Sequence, residues 1–246
     1  FERFAIKWDS DTLYLDTEKG ASSGTLRNIQ IGSTFPTGVG LASGSATAGY
    51  AVACGNSTAS SSYAFAAGSS TASASGSVAI GRSANASGSN AIGFGYLNSA
   101  SQANQFAIGF SRFASNGDCQ TSLFVLNATT TDATPTSMIT SFAGSSKMVA
   151  VANTTWAFEI TVVGRSDGGT DNAMYIKRGM IKRDGSNNTT LVGSVSDVYT
   201  NETDAAWDVT VTADDTGETL DVSVTGAAAT NINWTARVML TEVGNV

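Results

Sequence analysis

The sequence predicts an all-β protein: an N-terminal hairpin, a stack of short coils and a C-terminal antiparallel sandwich. Three observations predict it. Apolar residues alternate with polar ones in both end regions, and no helical period appears. A glycine unit recurs through the middle at nearly constant spacing. Charge is almost absent from that middle, where Arg82 is the single charged residue between positions 41 and 110. The charge pattern sets the expected divisions: 1–40 a hairpin region, 41–114 repeats, 115–146 a connector and 147–246 the sandwich.

In the first region Phe4, Ile6 and Trp8 share one face, Asp9-Ser10-Asp11 has turn chemistry, and Leu13 and Leu15 resume the alternation. A hairpin of roughly 4–8 and 12–16 follows. Ile29 and Ile31 suggest another short strand. Asp9, Asp11 and Asp16 invite a calcium reading, but Asp is common in turns and the EF-hand glycine and glutamate are out of register.

The middle is rich in Ala, Ser and Gly, which by composition alone reads as a flexible linker. Its order argues otherwise. Ala53-Cys54-Gly55, Ala66-Ala67-Gly68, Ala79-Ile80-Gly81, Ala91-Ile92-Gly93 and Ala107-Ile108-Gly109 place successive glycines 13, 13, 12 and 16 apart. Counting Gly95 instead makes the later spacings 14 and 14. Such a unit holds two short strands and two turns, with Gly55, Gly68, Gly81, Gly93 and Gly109 expected at the corners. The larger neighbours, such as Val78 and Ile80 or Phe106 and Ile108, are expected to pack inward. So little apolar area leaves a lone stack marginal, and several chains around one axis would supply the missing burial.

The C-terminal region alternates along Trp156, Phe158, Ile160 and Val162, again over Ala173 to Arg183, and over Leu191 to Val195. Trp207, Val209 and Val211 follow, then Leu220, Val222 and Val224, and last Ile232, Trp234, Ala236 and Val238. Gly168-Gly169, Asp184-Gly185 and Asp214-Asp215-Thr216-Gly217 mark turns. Six strands with one buried and one wetter face are expected.

Ser77-Val78-Ala79-Ile80-Gly81-Arg82-Ser83-Ala84-Asn85-Ala86-Ser87-Gly88-Ser89-Asn90-Ala91-Ile92-Gly93 resembles the head repeats of trimeric autotransporter adhesins. That resemblance implies coils of a left-handed parallel β-roll, three rolls side by side. It is strongest over 77–114 and weakens over 44–72, where Cys54 and Ala67 replace the usual Ile. Gly117-Asp118-Cys119-Gln120-Thr121-Ser122, Thr155-Trp156-Ala157-Phe158, Ala206-Trp207-Asp208-Val209 and Trp234-Thr235-Ala236-Arg237-Val238 resemble a C-terminal module of phage tail proteins. There such a module follows adhesin-like repeats. Cys119 stands where a small residue is expected, so no disulfide role follows.

Composition excludes several chemistries. There is no histidine, which removes Ser-His-Asp and Cys-His machinery and every His-containing zinc site. Cys54 and Cys119 are too far apart in sequence for a CxxC pair. A net charge of −7 argues against nucleic acid. No apolar run is long enough to span a bilayer as a helix, so no membrane insertion is expected. The chain opens on Phe1 with no Met, signal or transit pattern, which reads as a fragment or processed form.

The surviving enzymatic option is a carboxylate pair of the glycosidase kind. Asp167 with Asp171, Asp204 with Asp208, and Asp214 with Asp215 and Glu218 are the candidates; all sit at turns, where solvated carboxylates are the simpler reading. Lys177, Arg178, Lys182 and Arg183 form either the wet face of a sheet or a contact for anionic polysaccharide. Trp156, Trp207 and Trp234 are in register with core residues, which favours packing over a sugar platform.

These readings lead to a non-enzymatic homotrimeric phage tail fibre or receptor-binding protein, with no cofactor, the roll as spacer and the sandwich as tip. The expected partners are a second and third copy, a host cell-surface glycan or protein, and other virion tail proteins joined through further N-terminal sequence. Loops 165–172, 184–189 and 200–205 are the places for recognition, with Arg165, Asp167, Asp171, Asn172, Asn187, Asn188 and Asn201 as contacts. The alternatives are a virion fibre or decoration protein without receptor binding, and a glycan-cleaving tailspike.

Overall fold

The computed structural model describes residues 3–9, 12–18, 44–141 and 144–244, with backbone only up to residue 18. Among the described residues there are strands and turns and no helix. Among the same residues no helix is long and apolar enough to cross a membrane. The chain divides into two units, 1–42 and 43–246.

In the first unit β1 (Arg3–Asp9) and β2 (Thr12–Glu18) pair antiparallel, from Arg3 opposite Glu18 to Asp9 opposite Thr12. The strand expected at Ile29 and Ile31 lies outside the described residues, as does Asp11.

The second unit begins as a β-solenoid of about five turns. Its strands are β3 (Ser45–Ala46), β4 (Val52–Gly55), β5 (Thr58–Ala59), β6 (Phe65–Ala72), β7 (Val78–Ala86), β8 (Ile92–Tyr96), β9 (Ser99–Ala100) and β10 (Phe106–Gly109). Each pairs in parallel with the equivalent strand of the next coil, so that Gly55, Gly68, Gly81, Gly95 and Gly109 form one column. The first four have left-handed φ, from 73° to 129°. A Cβ at Gly68 would come within 2.6 Å of the Gly81 carbonyl, so neither the backbone angle nor the space admits a side chain.

Two expectations are corrected here. Gly93 is not a corner: it pairs with Ala79 and Ala107, two positions before the glycine column, and its φ is ordinary. Gly109 lies in the column but also lacks the left-handed φ, because the stack ends there. The large residues do not pack inward either. The solenoid core consists of alanines, including Ala66, Ala79, Ala86 and Ala107, each fully buried. Val52, Ile92 and Phe94 are exposed, and Val78 and Ile80 are half-buried. Along these strands the inward positions are filled by alanine methyls, and the larger side chains on either side point outward.

Two further columns hold the coils together. Ser57, Ser70 and Asn98 are buried, and each donates to carbonyls of its own and the following coil. Ser70 Oγ lies 3.0 Å from the Ala67 carbonyl and 2.8 Å from that of Ala79. A second corner follows Tyr50, Tyr63, Gly76, Asn90 and Asn104, all with φ near 60°. Tyr50 and Tyr63 stack there at 5.1 Å. Coils lengthen from 13 to 14 residues at Ser83, which takes a left-handed φ where the pairing shifts register.

The stack passes directly into antiparallel structure. The remaining strands are β11 (Cys119–Thr130), β12 (Thr136–Ser137), β13 (Met148–Val149), β14 (Thr154–Ser166), β15 (Asn172–Arg183), β16 (Thr189–Leu191), β17 (Ser196–Glu202), β18 (Asp208–Asp214), β19 (Thr219–Thr225) and β20 (Ile232–Gly244). The last solenoid strand, β10, pairs with β11, and the order continues β11-β20-β14-β15, with β16 and β17 at the far edge. Solenoid and C-terminal strands therefore form one 14-stranded sheet. The stretch expected to be a connector supplies β11, an interior strand of it. β12, β13, β18 and β19 make a second sheet of four strands.

Both sheets contribute to one buried cluster that includes Trp156, Phe158, Trp234 and Leu240 from one side and Leu220 and Val222 from the other. The strand expected over Leu191 to Val195 is broken, because Gly193 turns with φ 77°. The pairing resumes as β17, whose residues are exposed on both faces.

Candidate functional site

The candidate recognition loops fall at opposite strand ends. Loop 165–172 joins the end of β14 to the start of β15, whereas loop 184–189 follows the other end of β15, where Arg183 pairs with Thr154. Loop 200–205 accompanies the first. Thr203 Oγ1 accepts from the Asn172 amide at 2.9 Å and reaches Asp171 Oδ1 at 3.3 Å, and the Asp167 amide donates to the Asn231 carbonyl. Arg165, Asp167, Asp171, Asn172 and Asn201 thus border one end of the sheet, and Asn187 and Asn188 the other.

The second group is occupied internally. Asp184 Oδ1 accepts from the Ser186 and Asn188 amides, and Asn187 Oδ1 accepts from Arg183 Nη2 at 3.0 Å. The Asn188 amide and side chain hold the Asp184 carboxyl below the ordinary aspartate range.

The carboxylate candidates serve the architecture. Asp214 Oδ1 caps the amides of Thr216 and Gly217, which keeps its carboxyl below the usual value. Asp215 accepts from the Thr189 amide, and Glu218 accepts from the Thr189 hydroxyl with Arg183 Nε 3.4 Å away. Asp204 Oδ1 caps the Ala206 amide and Asp208 Oδ1 meets the Val209 amide. Asp167 and Asp171 share a turn with no third carboxylate. No group of three or more metal-ligating side chains occurs among the described residues.

The basic cluster splits between the two faces of β15. Lys177 is buried and pairs with Asp197 at 2.5 Å; Arg178 points the other way and pairs with Glu159 at 2.6 Å. Lys182 is exposed on the Arg178 side, and Arg183 is on the Lys177 side. No single cationic patch results. Trp156, Trp207 and Trp234 are buried in the shared core, so none presents a ring to solvent. Cys54 and Cys119 are free thiols.

Two features lay beyond sequence reasoning. The first is the outward face of the long sheet. Phe65, Val78, Ile92, Phe106, Leu123 and Met239 are successive partners in one row, and Ala67, Ile80, Phe94 and Ile108 run beside it. Val125 and Val163 extend the same face and are half or more exposed. Glu159 is its one carboxylate over this region, held by Arg178 and Arg237.

The second is a buried polar seam where solenoid and C-terminal strands meet. Gln105 Nε2 donates to Ser122 Oγ at 2.8 Å. Gln120 clasps the Ser99 backbone with both ends of its amide and donates to Glu242 Oε2 at 3.3 Å. Glu242 Oε1 is buried with no partner. Burial pushes the Glu242 carboxyl up to about 7, against the opposing pull of the hydrogen bond from Gln120.

No family model matches the chain, and no curated protein matches it.

Proposed function

We propose that the chain is one of three copies in a non-enzymatic attachment fibre of the phage-tail kind, with the solenoid as spacer and the C-terminal strands, packed as a β-sandwich, as the end that meets a host surface. The observation that carries this reading is the outward apolar face. Its named positions lie on seven neighbouring strands, from β6 to β14, so at ~4.8 Å per strand the strip is about 30 Å long. An apolar strip of that size is what an association site exposes before assembly.

A second copy is the occupant that fits. Each rung repeats at one strand spacing, so the surface that meets every rung in turn is another ladder of the same spacing. Small inward residues let the coils stay thin, and outward Val, Ile and Phe supply the burial that an alanine core lacks. The adhesin-like repeat adds a side-by-side trimer to this expectation. The hydrogen bonds that hold Asp171, Asp204, Asp208, Asp214, Asp215 and Glu218 within the fold favour binding over glycan cleavage.

Light scattering tests the assembly: three times 25.1 kDa is expected, and a folded monomer at micromolar concentration overturns it. Binding to whole host cells with glycan release assayed alongside tests the role. Binding without release supports attachment, release supports a tailspike, and neither supports a purely structural fibre.

A further inference from the structure

We infer that a cleft of about 650 Å³ between the last solenoid coil and the C-terminal strands binds a neutral saccharide. One wall is the solenoid turn Ser101, Gln102 and Ala103; the other carries Val149, Val151 and Asp214, with Thr219 also lining the cleft. Both walls belong to the same unit and are tied together, since the Val149 amide donates to Gln102 Oε1 at 2.7 Å.

Three properties define the ligand. First, the cleft offers hydrogen-bonding groups that the fold leaves free. The Ser101, Ser145 and Ser146 side chains line it and are exposed. Asp214 uses Oδ1 for its turn, which leaves Oδ2 as an acceptor beside the Ser101, Ser145 and Ser146 hydroxyls. Second, the polar groups alternate with apolar surface: Val149 and Val151 are exposed. Hydroxyl-bearing carbons of a sugar ring present both kinds of surface at that spacing, and an amide or carboxylate acceptor suits vicinal hydroxyls. Third, the charge is wrong for an anion. Lys147 is already paired with Asp221 at 2.8 Å, so the charge left for a ligand is the Asp214 carboxylate.

This deepens the attachment reading by naming a ligand class, and it moves recognition from the predicted loops to the junction beside them. Of those loops, 184–189 lies on this side, linked through Thr189 to Asp215 and Glu218.

The test is saturation-transfer NMR on the full chain with glucose, galactose, mannose and N-acetylglucosamine, with glucuronate and sialic acid as anionic comparisons. A neutral sugar should receive saturation and the anions should not. Ser101→Trp, a change at an exposed position that fills the cleft, should abolish the signal. Asp214→Asn keeps the turn acceptor and removes the charge, so it should weaken binding about tenfold, the difference between a charge-assisted and a neutral hydrogen bond. Mass of both variants and melting temperature of Ser101→Trp should match the parent; Asp214→Asn, which loses the charge that holds the 214–217 turn, should melt somewhat lower while keeping the parent's mass. No transfer to any neutral sugar, preference for the anions, or unaltered binding in both variants overturns the inference. A trimer that binds no sugar loses this inference and keeps the fibre reading; a monomer that binds sugar does the reverse.

Discussion

Replacing Glu242 by Gln should stabilise the protein above neutral pH and leave it unchanged at pH 5. Glu242 is buried, and in the folded chain its carboxyl is pushed up from 4.5 to about 7. A raised acid binds its proton more tightly folded than unfolded. Its charged form is therefore a burden on the folded state that appears as pH rises from 4.5 and is complete above 7. A shift of this size corresponds to roughly 3 kcal/mol at pH 8, or on the order of 10 °C in melting temperature for a unit of this length. The window is clean. The chain has no histidine. Asp118, Asp132, Asp184 and Asp214 are shifted downward, so their contributions are lost only as pH falls well below 4. Thermal melts at pH 5 and 8, at one protein concentration, provide the assay. The parent should melt lower at pH 8, and Glu242→Gln should melt alike at both. A parent equally stable at both pH values, or a variant that tracks it, would refute the assignment of a buried, costly charge to the seam.

Ile92→Asp should leave the circular dichroism of the chain intact while cutting the mass measured by light scattering to that of one copy, because Ile92 is exposed in the single chain. Gly81→Ala should cost at least ~2 kcal/mol in denaturant unfolding, since Gly81 has φ 129° and a Cβ there would run into the Gly95 carbonyl; Gly109→Ala, with ordinary φ and its closest approach a side-chain carbon at 3.0 Å, should cost clearly less. Ser70→Ala should cost about 1–2 kcal/mol by the same measurement, because two carbonyls lose a buried donor.

The parts of this fold that sequence reveals are those where one face of a strand is buried by large residues. Trp156, Phe158, Ile160 and Val162 alternate visibly because a thick core rewards size, and the glycine column shows because no other residue has that backbone freedom. In the solenoid the same logic misleads. Ala79 faces inward and Val78 and Ile80 face outward, so the apolar pattern marks the outward face and the core is disguised as spacer residues. β11 escaped notice because its inward positions mix Gln120 and Ser122 with Phe124 and Leu126, a combination that only the polar seam makes sensible. The second corner column was hidden for another reason: Tyr50, Gly76 and Asn90 share a backbone angle and no chemistry. Of the candidate site, residue type identified the turns but not their company, and the cleft depends on Ser101 and Val149 meeting across nearly fifty positions.

The thirteen-residue coil also fixes how such a molecule can change length. Each coil advances the stack by one strand spacing, ~4.8 Å, so a residue yields about 0.4 Å of reach against 1.5 Å in a helix. A fibre selected for distance alone would be a poor match to that economy. What thirteen residues do provide is girth, and resistance to bending rises steeply with girth. Because every coil presents the same column of corners and the same outward row, duplication of one unit, such as 68–80, adds a rung without disturbing its neighbours. Length can therefore be adjusted in whole rungs.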